Sequence, residues 1–155
     1  MHAIKDNAER RYRIVKTFGY RSREYARLLY DQAQDARAQG QSINAGVSLL
    51  TALRLQAQLG DSNAAYSAFA LASLFYEQHK YQQSLIYAVW AVKTCHQSLG
   101  IKHALTLDGW WLLGLLYLEL GDNERGWQCF NYVTALNRSR TSANDCAINT
   151  SILDV

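Results

Sequence analysis

Proline is absent from the sequence, and cysteine is scarce, with three residues among 155. Because proline is the residue that most strongly breaks helices, and because the chain is rich in alanine, leucine and glutamine, an all-α fold is expected. The cysteines are Cys95, Cys129 and Cys146, an odd number without a C-x-x-C spacing. This pattern is typical of small, buried apolar side chains in a reducing cytosol.

Long apolar runs are also absent. The longest, GWWLLGLLYL at 109–118, is about half of the roughly 20 residues needed to cross a bilayer. Residues 1–18 carry charges throughout, unlike a secretory signal. We therefore expect a cytoplasmic protein without a membrane span. A length of 155 residues, of which 49% are hydrophobic, predicts a single domain over 1–155.

Motifs of known reactions are missing as well. The sequence contains no Gly-rich phosphate loop, no H-E-x-x-H, no G-x-S-x-G and no pair of acids placed for general acid–base chemistry. A zinc site composed of Cys95, His96 and His103 would have no evident fourth ligand. His103 is better interpreted as a helix cap or connector residue. We expect no enzymatic activity, no cofactor and no metal.

What the sequence does contain is the spacing W-x2-L-G-x2-Y followed by a glycine and further apolar residues, at Trp110, Leu113, Gly114, Tyr117, Gly121, Phe130 and Val133. This pattern is typical of one helix–turn–helix unit of a tetratricopeptide array. Gly114 and Gly126 are the small residues expected where the paired helices approach closely. Gly121 is expected to form the left-handed turn and Asp122 to cap the second helix.

The pattern recurs upstream in weaker form. A second copy lies 42 residues earlier, at Leu71, Ala72, Phe75, Tyr81, Ser84, Ala88 and Ala91. A third and fainter copy lies about 39 residues before the second, at Leu29, Ala33, Ala36, Gly40, Ala45 and Ala52. The repeats predict three helix pairs, at 22–38 with 42–58, 63–78 with 81–98, and 104–120 with 123–138. A basic N-terminal helix is expected at 3–17, within 1–20, and 139–155 is expected to be a tail or a short capping helix.

The connectors between the pairs are longer than in ordinary tetratricopeptide repeats. Over residues 25–138 the chain resembles the 42-residue repeats of kinesin light chains and related adaptor proteins, on the residues Leu99, Gly100, His103, Thr106 and Leu107, with Leu59 and Gly60 as a partial second instance. Ala104 stands where that family usually has proline. The resemblance implies a right-handed superhelix of about three pairs, from 22 to 138, that binds proteins or peptides. The basic clamp that tetratricopeptide co-chaperones use for a C-terminal carboxylate is not present.

Positive charge is concentrated near the N-terminus. Residues 1–40 carry nine Lys or Arg against five Asp or Glu, a balance of +4, whereas the remainder has a balance of −1. Such a surface attracts nucleic acid, anionic lipid or acidic peptides. The alternative is an ordinary solvated helix surface, because Asp6, Glu9 and Glu24 dilute the patch.

In a helical array the usual binding surface is the concave face, lined by the first helix of each pair. The repeat register predicts partner-binding residues at Arg27, Tyr30, Gln34, Arg37, Tyr66, Phe69, Ser73, Tyr76, Trp111 and Leu115. Trp111, Leu115 and Leu118 have helical spacing, and we expect this strip to face outward from its own pair. It would then serve a partner, a second copy of the chain or the tail.

The sequence therefore predicts a scaffold or adaptor that binds a peptide or partner protein in an aromatic-lined groove, with homo-oligomerisation possible. The rival interpretation is a nucleic-acid-binding or regulatory protein whose basic N-terminal helix binds while the repeats dimerise. A third interpretation is a fragment of a longer array, since about three repeats are the minimum for stability.

Overall fold

A computed structural model describes residues 2–138 and 150–153, and within these ranges the regular structure is entirely helical. The helices are α1 His2–Phe18, α2 Arg23–Ala38, α3 Ser42–Gln58, α4 Ala64–Glu77, α5 Tyr81–Ser98, α6 Ala104–Glu119 and α7 Asn123–Arg138, followed by a 3-10 turn at Thr150–Leu153. The predicted all-α repeat fold is confirmed. Each predicted helix boundary lies within one residue of the observed one, because turn residues and helical periodicity mark the ends locally.

The turns between paired helices are made by residues with positive φ. Gly121 has a φ of 85° between α6 and α7, and the next residue, Asp122, accepts a hydrogen bond from the Arg125 backbone N–H at 3.0 Å. The predicted turn and cap are therefore confirmed. Between α4 and α5 the same geometry is taken by His79, with a φ of 57°, a conformation that few residues other than glycine adopt.

The chain forms two compact units, Met1–Ser67 and Ala68–Val155, and the division falls within α4. In unit 1, the core between α2 and α3 contains Tyr25, Ala26, Leu28, Leu29, Ala52 and Leu55. Polar contacts join α1 to α2: Arg10 forms an ion pair with Asp31 at 2.9 Å, and Arg11 donates to the Tyr25 hydroxyl at 3.0 Å. The single domain over 1–155 stays a prediction.

The core of unit 2 is built around Trp110 of α6, which is fully buried in one apolar cluster with residues of α5 and α7. Two glycines allow close packing of α6 on α7. A Cβ atom on Gly114 would lie 2.5 Å from the Phe130 ring, and one on Gly126 would lie 3.1 Å from the Gly114 carbonyl oxygen. The predicted small pair is confirmed. The sequence pattern did not identify a third close approach, Gly109 against the Val92 side chain at 2.6 Å.

The C-terminal 3-10 turn closes part of this core. Ile152 and Leu153 are buried in the same apolar cluster as Trp110, and the Tyr117 hydroxyl donates to the Ile152 carbonyl. Within 139–155, where a tail or a short capping helix is expected, the described residues form a 3-10 turn at Thr150–Leu153. The rest of 139–155, which includes Cys146, lies outside the described residues.

The two described thiols, Cys95 and Cys129, are free and buried as predicted. Burial raises the pKa of Cys95 to about 11. Burial, with a smaller effect of the Asp122 charge, raises the pKa of Cys129 to about 12. Thiols of the unfolded chain lose their protons near pH 9. Between that pH and the raised pKa values, only the folded state keeps its two thiols protonated. Their stabilising effect is therefore complete below about pH 9 and declines as the pH rises.

We expect the free energy of unfolding to fall between about pH 9 and 10.5, with each thiol contributing about 1 kcal/mol per pH unit. Urea unfolding at several pH values measures this slope for the wild type and for Cys129→Ala. Whatever its effect on stability at pH 7, the substitution should reduce the fall in unfolding free energy per pH unit by the contribution of one thiol. Parallel slopes for the two proteins would contradict the assignment.

Candidate partner-binding pocket

Unit 1 contains a pocket of about 370 Å³ at the end of the α2–α3 pair. Its lining comes from α2, from the last turn of α3, from the connector that follows and from the first turn of α4. The lining residues are Arg27, Tyr30, Asp31, Gln56, Asp61, Asn63 and Tyr66. A volume of this size lies in the range of ordinary ligand pockets.

One wall of the pocket is a single face of α2. Arg27, Tyr30 and Asp31 are spaced by three and four residues, so their side chains lie side by side on the helix. Arg27 is exposed, and Asp31 accepts the 2.9 Å hydrogen bond from Arg10. The α1–α2 packing thus places one lining carboxylate in an ion pair before any ligand arrives.

Tyr30 is half-buried in this wall, and burial is the main reason that its pKa is raised. The Asp31 carboxylate and Tyr66 also raise the pKa, whereas a hydrogen bond from Gln34 and the positive charge of Arg37 lower it. The phenol therefore stays neutral at physiological pH and keeps a hydroxyl group for hydrogen bonding. These interactions place Gln34 and Arg37 beside the pocket, although neither lines it.

The opposite wall is built where α3 ends and α4 begins. Gln56 is only 2% exposed, and its Oε1 accepts a hydrogen bond from Ser67 at 2.7 Å. The Asp61 backbone N–H donates to the Gln56 carbonyl at 2.9 Å, so the two side chains start from adjoining backbone. Asp61, 9% exposed, accepts from the Asn63 backbone N–H at 3.0 Å and thereby holds the turn into α4.

The pocket gathers part of the predicted binding surface. Arg27, Tyr30 and Tyr66 line it together, with Gln34 and Arg37 adjacent. Four lining residues were missed from the sequence: Asp31, Gln56, Asp61 and Asn63. Asp61 and Asn63 lie in the connector between α3 and α4. The sequence signal that could have marked them is a carboxylate two residues before an asparagine at a helix start.

The remaining predicted residues belong to unit 2 and do not line this pocket. Phe69 and Tyr76 pack against the unit 2 core, and the Ser73 hydroxyl donates to the Phe69 carbonyl at 3.0 Å within α4. Leu115 is partly buried. Partner binding by these four residues and by Trp111 stays a prediction.

The strip on α6 does not face away from its own pair as expected. The Trp111 ring lies 4.6 Å from the Phe130 ring of α7, although half of Trp111 remains exposed. Leu118 lies against Gly126, also on α7. The expectation of an outward strip is therefore wrong for Trp111 and Leu118, because a spacing of three or four residues marks a helix face without identifying its neighbour.

His103 caps α6: its Nδ1 accepts a hydrogen bond from the Leu105 backbone N–H at 3.2 Å. This confirms the interpretation of His103 as a cap. Within residues 2–138 and 150–153, no cluster of three or more His, Cys, Asp or Glu is arranged to hold a metal ion. In the same part of the chain, no helix is both long and apolar enough to cross a membrane.

No protein-family model and no curated protein match this sequence. Among solved structures, twenty chains match. One is the crystal structure of BtubC (BKLC) from P. vanneervenii, with a TM-score of 0.69 and 20% sequence identity over 80% of this chain. The match covers 50% of the BtubC chain, so this chain spans half the length of that neighbour. The likeness shows a tetratricopeptide-like helical repeat fold and does not distinguish the 42-residue subclass.

Proposed function

We propose that this chain is a protein–protein interaction scaffold or adaptor of the cytoplasm, and that a segment of its partner binds in the unit 1 pocket. The observation that carries the proposal is that three of the predicted binding residues, Arg27, Tyr30 and Tyr66, line one pocket. The tetratricopeptide-like repeat fold supports the proposal, since helical repeat proteins use extended surfaces of this kind for binding.

The chemistry of the pocket suits a peptide. Tyrosine offers a large, rigid contact surface at a low cost in side-chain entropy, and it is enriched among the residues that dominate binding energy. The pocket places two tyrosines beside charged and amide groups, which supply directional hydrogen bonds. In unit 2, we propose partner contacts at Phe69, Ser73, Tyr76, Trp111 and Leu115.

The rival function rests on the basic N-terminal residues. Two of them already have intramolecular partners, because Arg10 pairs with Asp31 and Arg11 contacts Tyr25. Arg13 and Arg23 are exposed on α1 and α2 and are available for phosphate contacts. Binding that depends on phosphate contacts falls steeply with salt concentration, whereas binding to tyrosines does not.

The test is selection of peptide ligands from a displayed random library, followed by fluorescence anisotropy with one selected peptide. Tyr66→Ala should weaken binding at least tenfold, about 1.4 kcal/mol, because it removes an anchor from the pocket. Tyr12→Ala is the matched control, since Tyr12 lies on α1 and is 65% exposed. It should leave the affinity unchanged.

Two results would overturn the proposal. One is a selection that yields no peptide sensitive to Tyr66→Ala. The other is steeply salt-dependent binding of a DNA or RNA oligonucleotide that is lost in Arg13→Gln/Arg23→Gln and is unaffected by Tyr66→Ala. The second result would assign the function to the basic N-terminal residues.

A further inference from the structure

Gln56 presents an unused hydrogen-bond donor to the pocket. The side chain is 98% buried, and its Oε1 is held by the Ser67 hydroxyl at 2.7 Å. That contact is the only hydrogen bond that the described part of the chain gives to this side chain, so the amide nitrogen has no acceptor there. Gln56 lines the pocket, so a ligand acceptor there would give this donor a hydrogen bond.

Asp61 contributes an acceptor to the same pocket. One carboxylate oxygen, Oδ1, accepts from the Asn63 backbone N–H. Among residues 2–138 and 150–153, no other side-chain hydrogen bond and no ion pair is formed by Asp61. The Asp61 backbone N–H donates to the Gln56 carbonyl at 2.9 Å, so the two residues are neighbours, and both of them line the pocket.

The charges of the lining residues are balanced once the Arg10–Asp31 ion pair is taken into account. Asp31 is paired with Arg10 at 2.9 Å, which leaves one cation, Arg27, and one anion, Asp61, among the lining residues. The net charge of the lining residues therefore favours neither an ammonium group nor a carboxylate in a ligand. A neutral ligand group that both donates and accepts a hydrogen bond is the best complement to the Asp61–Gln56 wall.

We propose that this pocket recognises the carboxamide side chain of an asparagine or glutamine in the partner segment. The ligand NH2 donates to Asp61, and the ligand carbonyl accepts from the Gln56 amide nitrogen. Lysine and arginine have no acceptor for Gln56, and an ionised glutamate has no donor for Asp61. A single peptide bond is a poorer fit, because its N–H and C=O point in opposite directions. The inference rests on the proposed function, since it specifies the partner of the same site.

The substitution Asp61→Asn tests the inference through a change of specificity. It keeps an oxygen for the Asn63 N–H and replaces the free carboxylate oxygen by an NH2 group. Asn and Asp side chains both accept a hydrogen bond from the backbone two residues on, so the fold is expected to be retained, as circular dichroism can verify. The wall then has two donors and matches a carboxylate. Asp35→Asn is the matched control, because it makes the same charge change at an exposed position of α2.

Peptides selected against the wild type and against Asp35→Asn should be enriched in asparagine or glutamine at one position, and those selected against Asp61→Asn in aspartate or glutamate. In anisotropy measurements with one selected peptide, changing that glutamine to glutamate should weaken wild-type binding at least tenfold and should strengthen binding to Asp61→Asn. Sites built to hydrogen-bond a polar group discriminate on this scale or above it.

The inference is overturned if Tyr66-dependent peptides show no such enrichment, or if Asp61→Asn keeps the wild-type preference. In either case the proposed function still stands, because the peptides still bind at the pocket. If no selected peptide depends on Tyr66, the proposed function fails and the inference fails with it.

Discussion

Gly114→Leu is expected to lower the free energy of unfolding by more than about 3 kcal/mol. A single Cβ at this position would already lie 2.5 Å from the Phe130 ring, well inside van der Waals contact. On this side the ring can move only by displacing the Trp111 and Trp127 rings, whose centroids lie 4.6 and 5.9 Å from its own. The larger leucine side chain must therefore separate α6 from α7, and overpacking of a close contact costs about 1–3 kcal/mol or more.

Thermal and urea unfolding of the wild type, Gly114→Leu and Asn131→Leu measure the effect. Asn131 lies on α7 in the same unit and is exposed, so the control introduces the same side chain without a steric conflict. It should unfold close to the wild type. A Gly114→Leu protein with an unchanged midpoint would mean that α6 and α7 are not in close contact at this glycine.

The features that the sequence predicts well are those with a local physical cause. Gly121 and Asp122 mark the turn and the cap through backbone freedom and a side-chain oxygen, and both functions need only a few neighbouring residues. Gly114 and Gly126 are similarly informative because close helix packing leaves no space for a side chain. The turn at His79 has no such local signal, and only its place in the repeat indicated it.

The pocket was only partly predictable because its lining depends on tertiary burial. Arg27, Tyr30 and Tyr66 follow from the repeat register, which identifies helix faces. Asp61 and Gln56 are polar residues at a helix end, and the sequence gives no sign that they are 9% and 2% exposed. Their burial results from the packing of α2, α3 and the first turn of α4 around one cavity.

The C-terminal 3-10 turn provides the second large expected effect. Ile152 is 6% exposed in the apolar core of unit 2, and Leu153 is buried beside it. Ile152→Asp would place a carboxylate in this apolar core, which costs several kcal/mol unless the segment leaves the core. If the segment leaves, the apolar contacts of both residues are lost, at about 1.5–3 kcal/mol for each side chain. By either route we expect a loss of roughly 3–5 kcal/mol.

Urea unfolding of Ile152→Asp compared with Ile86→Asp separates this effect from the general cost of the substitution. Ile86 lies on α5 of the same unit and is 60% exposed, so its replacement should cost less than about 1 kcal/mol. Undocking would also expose apolar surface around Tyr117, and such surfaces promote self-association. Sedimentation velocity should then show concentration-dependent association of Ile152→Asp under native conditions and none with Ile86→Asp. If the two variants unfold and sediment alike, residues 150–153 do not stabilise unit 2, and another segment must cover Tyr117.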